Sequence, residues 1–146
     1  MKKSFTLIEI LVVVTIIGLL TAIGSSSYTL FNKQSRDSKR KTDLENIRMA
    51  VEMYRSDLGY YPDVLTDLTS GSYMSSIPTD PLNSQGYSYI YTALVSGCTT
   101  ACTSYTLGTR LENLTTANCT TVTLAGCKTS APTKNCNYCL GPYGTK

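Results

Sequence analysis

Hydrophobic positions fall into three regimes along the chain. Phe5 to Gly24 is apolar on every side and carries a single charge, Glu9. Twenty helical residues rise about 30 Å, the thickness of a bilayer core, so this stretch reads as a membrane-spanning helix. Beyond the serine triplet Ser25 to Ser27, apolar residues recur at helical spacing: Leu44, Ile47, Val51, Tyr54 and Leu58. Asp43, Glu45, Arg48, Glu52 and Arg55 lie mostly elsewhere on the wheel, which predicts an amphipathic half with one buried face. Gly59 followed by Pro62 predicts its end. A helix from Phe5 to Asp57 is about 80 Å long, and Gly18, Gly24 and the serines are its candidate bending points.

After that helix the pattern shortens. Tyr60 to Gly86 is rich in turn residues and reads as a loop with room for one helical turn. Tyr87 to Leu94 and Ser104 to Glu112 alternate as strands do, and Thr120 to Ala125 is a third candidate. The polar tail from Gly126, interrupted by Pro132 and Pro142, predicts irregular structure. Three short antiparallel strands against an amphipathic helix give an α+β fold. The expected organisation is 1–4 leader, 5–24 apolar helix, 25–59 amphipathic helix, and 60–146 loop, sheet and cysteine-rich tail.

Composition narrows the chemistry. The 146 residues include no histidine and no tryptophan, and the formal charge is +3. Without His the usual acid–base group near neutral pH is missing, and no catalytic constellation is visible, so a structural role is expected rather than an enzyme. The charge is too small to argue for nucleic acid. A basic stretch from Lys33 to Lys41 reads first as a solvated helix face, with DNA or anionic lipid as rival ligands. Six cysteines, Cys98, Cys102, Cys119, Cys127, Cys136 and Cys139, all lie in the last third. An even set behind a membrane segment predicts disulfides formed outside the cytoplasm, with connectivity open. The rival is a thiolate zinc site from Cys98, Cys102, Cys136 and Cys139. No metal and no cofactor are otherwise expected. Asn113-Leu114-Thr115 and Asn118-Cys119-Thr120 match the N-glycosylation acceptor pattern, which arises by chance in Thr-rich sequence.

Lys3-Ser4-Phe5-Thr6-Leu7-Ile8-Glu9, running directly into the Ile10 to Ile23 apolar stretch, resembles the N-terminus of type IV prepilins and of type II secretion and competence pseudopilins. Weaker likeness continues from Leu44 to the Gly59-Tyr60-Tyr61-Pro62 segment. Ile77 to Pro81 and Tyr87 to Tyr89 resemble the loop and first strand of major pseudopilins. The resemblance implies a pilin fold. It also implies cleavage by a prepilin peptidase between Ser4 and Phe5, with N-methylation of Phe5. It implies insertion in the cell membrane with the N-terminus cytoplasmic, then polymerisation by a membrane-embedded platform into a helical homo-oligomer outside. Glu9 then neutralises the new amine of Phe5 on a neighbouring subunit; a carboxylate in hydrocarbon otherwise costs about 3 kcal/mol. This chain has Ser4 where the family usually has glycine, and Ser26 where it often has proline. The calcium-binding acids of major pseudopilins are not matched, since Glu112 is the sole acid after Asp80.

Competing readings remain open at the level of sequence. Residues 1–24 also resemble a secretory signal ending at Ala22-Ile23-Gly24. Glu9 lies close enough to the helix start to reach the membrane interface instead of a partner. Counting Lys33, Arg36, Lys39, Arg40 and Lys41 against Lys2 and Lys3 favours the opposite membrane orientation, although an uncharged spacer separates that cluster from the apolar run. The functional expectation is a type IV pilus subunit. The alternatives are the major pseudopilin of a type II secretion system and a membrane-anchored or secreted disulfide-rich binding domain.

Overall fold

The computed structural model describes residues 5–94, 102–113, 118–119, 124–129 and 134–145, without the side chains of residues 23–27 and 145. Its first element is a single helix, α1, Leu7–Leu58. The backbone passes Gly18, Gly24 and the serines without leaving the helical ladder, so the expected bending points do not melt it. Contacts divide the molecule into two units, residues 1–35 and residues 36–146.

The first unit is the leading part of α1, and its apolar side chains are exposed within it. From Phe5 through Leu20 each large apolar residue keeps roughly half or more of its surface accessible. Among the described residues no helix is long and apolar enough to cross a membrane. The run with described side chains stops at Ala22, about 22 Å from Leu7, and the expected span needs Ile23 and Gly24 as well.

The second unit is built on the rest of α1. Leu44, Ile47 and Val51 are fully buried, as their spacing predicts, and Ala50 joins them. Leu58 does not: it is exposed beside the terminating Gly59. That glycine adopts φ 84°, and its N–H donates to the Arg55 carbonyl at 2.7 Å. A side chain would be strained there, which is why the helix stops at this glycine. The loop that follows holds a short helix α2, Thr66–Ser70, and a 3₁₀ turn at Asn83–Gln85.

Four antiparallel strands form one sheet in sequential order: β1 Ile90–Leu94, β2 Ser104–Thr109, β3 Tyr138–Gly141 and β4 Gly144–Thr145. Strands β1 and β2 fall inside the predicted stretches but are shorter. Tyr87 makes only an isolated bridge to Lys128, and past Thr109 the Leu111 N–H turns to Asn137 Oδ1 at 2.7 Å. The third candidate, Thr120 to Ala125, is not confirmed. Residues 120–123 lie outside the described ones, and Leu124 and Ala125 are not in a strand. The tail is the larger correction: it supplies β3 and β4, with Leu107 opposite Leu140 and Gly108 opposite Cys139.

The sheet is covered on both faces. One face places Tyr105 and Leu107 on the α1 stripe, together with Tyr61, Leu68 and Leu140. On the other, Leu124, Cys127, Cys136 and Cys139 form a second small core. Gly108 lets them approach: a Cβ there would sit 2.6 Å from Leu124 Cδ1 and 3.1 Å from the Cys136 sulfur. Disulfides Cys119 to Cys139 and Cys127 to Cys136 fasten this layer. Cys102 is also disulfide-bonded, and Cys98 lies outside the described residues. The zinc alternative fails, because Cys136 and Cys139 are bonded to other cysteines rather than free to act as thiolates together.

Candidate functional site

The chemistry singled out in the sequence lies at the start of α1. Leu7 begins the helix, so the N–H groups of its first turn lack intrahelical partners. Thr6 supplies one. Its hydroxyl accepts from the Glu9 N–H at 3.4 Å, and its carbonyl accepts from Glu9 at 3.1 Å and from Ile10 at 3.4 Å. Thr6-Leu7-Ile8-Glu9 is the spacing of a capping box, with an acid in the first turn where the helix dipole favours it. The motif read above for processing is therefore also a helix start, a role the Thr-x-x-Glu pattern would have revealed.

Glu9 is exposed, as are Phe5, Leu7, Ile8 and Ile10 around it. Ser4, the other half of the expected cleavage site, lies outside the described residues. Further along, the Thr15 hydroxyl donates to the Val12 carbonyl at 2.8 Å, and Thr21 bonds back to the Ile17 and Gly18 carbonyls. These hydroxyls are satisfied by their own helix and present no free donor to an apolar surrounding. Glu9 is thus the ionisable group on a face that is otherwise suited to exclude water.

The basic stretch of α1 behaves differently from its reading as a solvated face. Arg40 is fully buried, and three carboxylates converge on it. Its Nε and Nη2 donate to Asp80 at 2.8 and 3.0 Å, while Nη1 donates to Asp37 at 2.8 Å and to Glu112 at 2.9 Å. Arg36 grips the same Glu112 with two bonds of 2.7 Å. Asp37 also accepts from the Glu112 and Asn113 N–H groups. Burial alone would weaken the charge on Arg40, but the hydrogen bonds it donates to Asp80 and Glu112 outweigh that, and its pKa is raised. The Arg36 hydrogen bond holds the Glu112 carboxyl below its ordinary range. Two of the five bases proposed for DNA or lipid are therefore committed internally, tying α1 to the loop before β1 and the segment after β2.

Tyrosines complete the head. Tyr89 donates to Asp43 at 2.8 Å, Tyr91 to the Pro62 carbonyl at 2.6 Å, and Tyr105 to Glu52 at 3.1 Å. Burial raises the pKa of all three. The Tyr87 ring lies between the Arg40 guanidinium at 5.0 Å and the Lys128 ammonium at 5.3 Å. These rings serve packing. Asn118, one of the two glycosylation candidates, uses its Oδ1 to accept from the Cys139 N–H at 2.8 Å. Among the described residues no cluster of acids and cysteines is placed to hold a metal ion.

Comparison with known proteins agrees with the N-terminal reading. Residues 1–25 match the prokaryotic N-terminal methylation motif. The type IV major pilin PilA of Myxococcus xanthus is 34% identical over 67 residues, covering 46% of this chain and 30% of that protein. The type II secretion system core protein G of Pseudomonas aeruginosa is 30% identical over 96 residues, covering 55% of this chain and 68% of that one. The fimbrial protein EcpC of Eikenella corrodens is 30% identical over 90 residues, or 58% and 59% of the two chains. The chain spans less than a third of the Myxococcus pilin it matches. No solved structure matches it. A helix capped by Thr6 with Glu9 in its first turn, an α+β head packed on its second half, and these likenesses converge: the chain belongs to the family of type IV pilins and type II secretion pseudopilins.

Proposed function

We propose that this protein is a structural subunit of a type IV pilus, polymerised from the cell membrane into a surface filament. The observation that carries the reading is the first unit of α1. A row of large apolar side chains stands exposed there and cannot remain in water. Lipid before assembly, and the same segments of other copies after it, satisfy that surface in turn. In this reading a prepilin peptidase cuts between Ser4 and Phe5, and the Phe5 amine is methylated. The head, with its disulfides, faces the extracytoplasmic side, and the N-terminus enters from the cytoplasm.

Glu9 supplies the register. In a low-dielectric bundle an unpaired carboxylate is strongly unfavourable, and the Phe5 amine of an adjacent subunit is the cation that cleavage creates. Glu9→Gln should therefore insert in the membrane as well as wild type or better, and fail to appear in sheared filaments. Equal filament yield from Glu9→Gln defeats the pairing mechanism. A mature chain beginning near Ser25 instead of at Phe5, found by mass spectrometry, defeats the filament reading.

A second reading has its own support. A relative covered by this chain over 68% of its length is a type II secretion core protein. As a pseudopilin the subunit would build a short periplasmic filament for protein export. Abundant surface filaments containing this chain favour the pilus; loss of an exported protein on deletion, without surface filaments, favours secretion.

A further inference from the structure

The hairpin outside the second small core sets two like charges against each other. Lys128 and Lys134 are paired across an antiparallel bridge, and each N–H donates to the other's carbonyl, at 3.1 and 3.0 Å. Residues that exchange both bonds stand about 5.5 Å apart and send their side chains to the same face. Like charges so placed repel, and a sheet is destabilised by them. On its other edge Lys128 is bridged to Tyr87, so Tyr87, Lys128 and Lys134 form one row.

The charge in this row is not balanced as the charge beside it is. The Tyr87 ring has the Lys128 ammonium at 5.3 Å and the Arg40 guanidinium at 5.0 Å. Three carboxylates neutralise Arg40. Among the described residues neither Lys128 nor Lys134 is in an ion pair. No acidic side chain follows Glu112 in the sequence, and Arg36 and Arg40 already hold that one. Arg110 adds a third cation: its Nη1 donates at 2.9 Å to the carbonyl of Asn135, the residue after Lys134.

The backbone cannot relax the repulsion by parting. Cys127 and Cys136 flank the two lysines, and their disulfide closes the hairpin. The Thr129 N–H, next to Lys128, donates to the Gly86 carbonyl at 2.9 Å. Lys134 is exposed and Lys128 half-buried, which puts the fixed pair at the surface. An anion between two such ammoniums replaces repulsion with two charge-assisted hydrogen bonds, and the site is organised in advance.

We propose that Lys128 and Lys134, with Arg110 beside them, form a binding site for a phosphate group. Ammoniums act as point charges suited to a compact, doubly charged oxyanion, whereas a carboxylate is matched better by an arginine fork. The site belongs to the head and does not depend on the filament reading.

The test uses full-length protein in uncharged detergent near neutral pH, titrated with inorganic phosphate against chloride at equal ionic strength. NMR shifts at Lys128 and Lys134 should saturate with a Kd of about 1–10 mM. Lys128→Gln and Lys134→Gln should each weaken binding at least about tenfold, while Lys134→Arg keeps the charge and should stay within about threefold. Without phosphate, Lys134→Gln should melt above wild type, because a repulsion is gone. It should also lose the further rise that phosphate gives wild type. Lys39→Gln, an exposed base on α1, should change neither result. Nanodiscs of phosphatidylcholine with and without phosphatidate then identify the source. Shifts at both lysines that require phosphatidate assign a lipid headgroup, and their absence assigns free phosphate. No saturable shift at the two lysines, equal weakening by Lys39→Gln, or binding of duplex DNA without any response to phosphate overturns the site.

Discussion

Side chains before Ser35 and those after Arg36 treat water in opposite ways along one continuous helix. Among the described residues of the first unit, Leu, Ile and Val side chains lie open, and the helix buries none of them for itself. In the second the helix hides Leu44, Ile47 and Val51, and also a complete guanidinium with the acids that neutralise it. In the proposed filament, lipid and then other copies cover the first surface. The second closes a core of its own, to the point of burying charge. A subunit that must leave the membrane and enter a polymer needs this division: a head that keeps its shape alone, and a stem that does not find its partners until assembly.

The sharpest way to break the head's side of the comparison is Arg40→Met. Removing the cation leaves Asp37, Asp80 and Glu112 facing one another in a largely buried site. Breaking a buried ionic group in this way costs about 3–5 kcal/mol. Thermal unfolding of the detergent-solubilised subunit should shift down accordingly, while membrane insertion is unchanged. Wild-type stability in Arg40→Met would mean that the cluster contributes nothing net. Acid approaches the same site from the other side. Folded Glu112 binds its proton less readily than in the unfolded chain, so its contribution is complete above the ordinary Glu value of about 4.3 and is lost as pH falls toward the lowered one. A melting temperature flat from neutral pH down to that value and falling below it is expected, and Glu112→Gln should lose the acid-dependent part of the fall.

Next in size is the disulfide layer. Cys119 and Cys139 are 20 residues apart, and cross-linking such a loop contributes about 3 kcal/mol in the chain-entropy model. Replacing both by Ala should lower head stability by about that amount and increase exchange at β3 amides first, because Cys139 lies in β3. The shorter Cys127 to Cys136 loop should matter somewhat less. Unchanged protection in β3 would show that the strand pairing with β2 is sufficient alone.

How much of this was legible follows from which physics leaves a trace in sequence. The α1 stripe was readable because burial on one face imposes a 3.6-residue period, and Leu44, Ile47 and Val51 keep it. Leu58 broke the rule because the helix ends beside it and no head surface covers that position. Strand β3 was missed because Tyr138-Cys139-Leu140-Gly141 is too short to alternate clearly and is followed by Pro142. Its partners are β2, β4 and, through Cys139, one disulfide, and cysteine pairing is a three-dimensional fact. Arg40 was read as one of five solvated bases because the residues that bury it, Asp80 and Glu112, are 40 and 72 positions away. Only Asp37, one turn before it, was a local signal. The N-terminal motif was legible almost entirely, since its chemistry is contiguous.

That contiguity permits a last and smaller test, on the stem's side of the comparison. If the first unit finds its partners only on assembly, its own stability comes from the helix alone, and the cap at its start is one of few local supports. Thr6→Ala removes the oxygen that receives the Glu9 N–H, an interaction worth about 0.5–2 kcal/mol at helix starts. At 3.4 Å the bond is long, which places the loss at the lower end of that range. Thr6→Ser keeps the acceptor and should be nearly silent. The measurement is amide exchange in detergent micelles, where no neighbouring subunit is present. Glu9 and Ile10 should exchange several-fold faster in Thr6→Ala, with amides beyond Val14 unaffected. In assembled filaments the difference should shrink, because packing against other copies then holds the same turn. If the Ala variant frays equally in micelles and in filaments, the first turn gains nothing from assembly, and Glu9 is not seated by a neighbour.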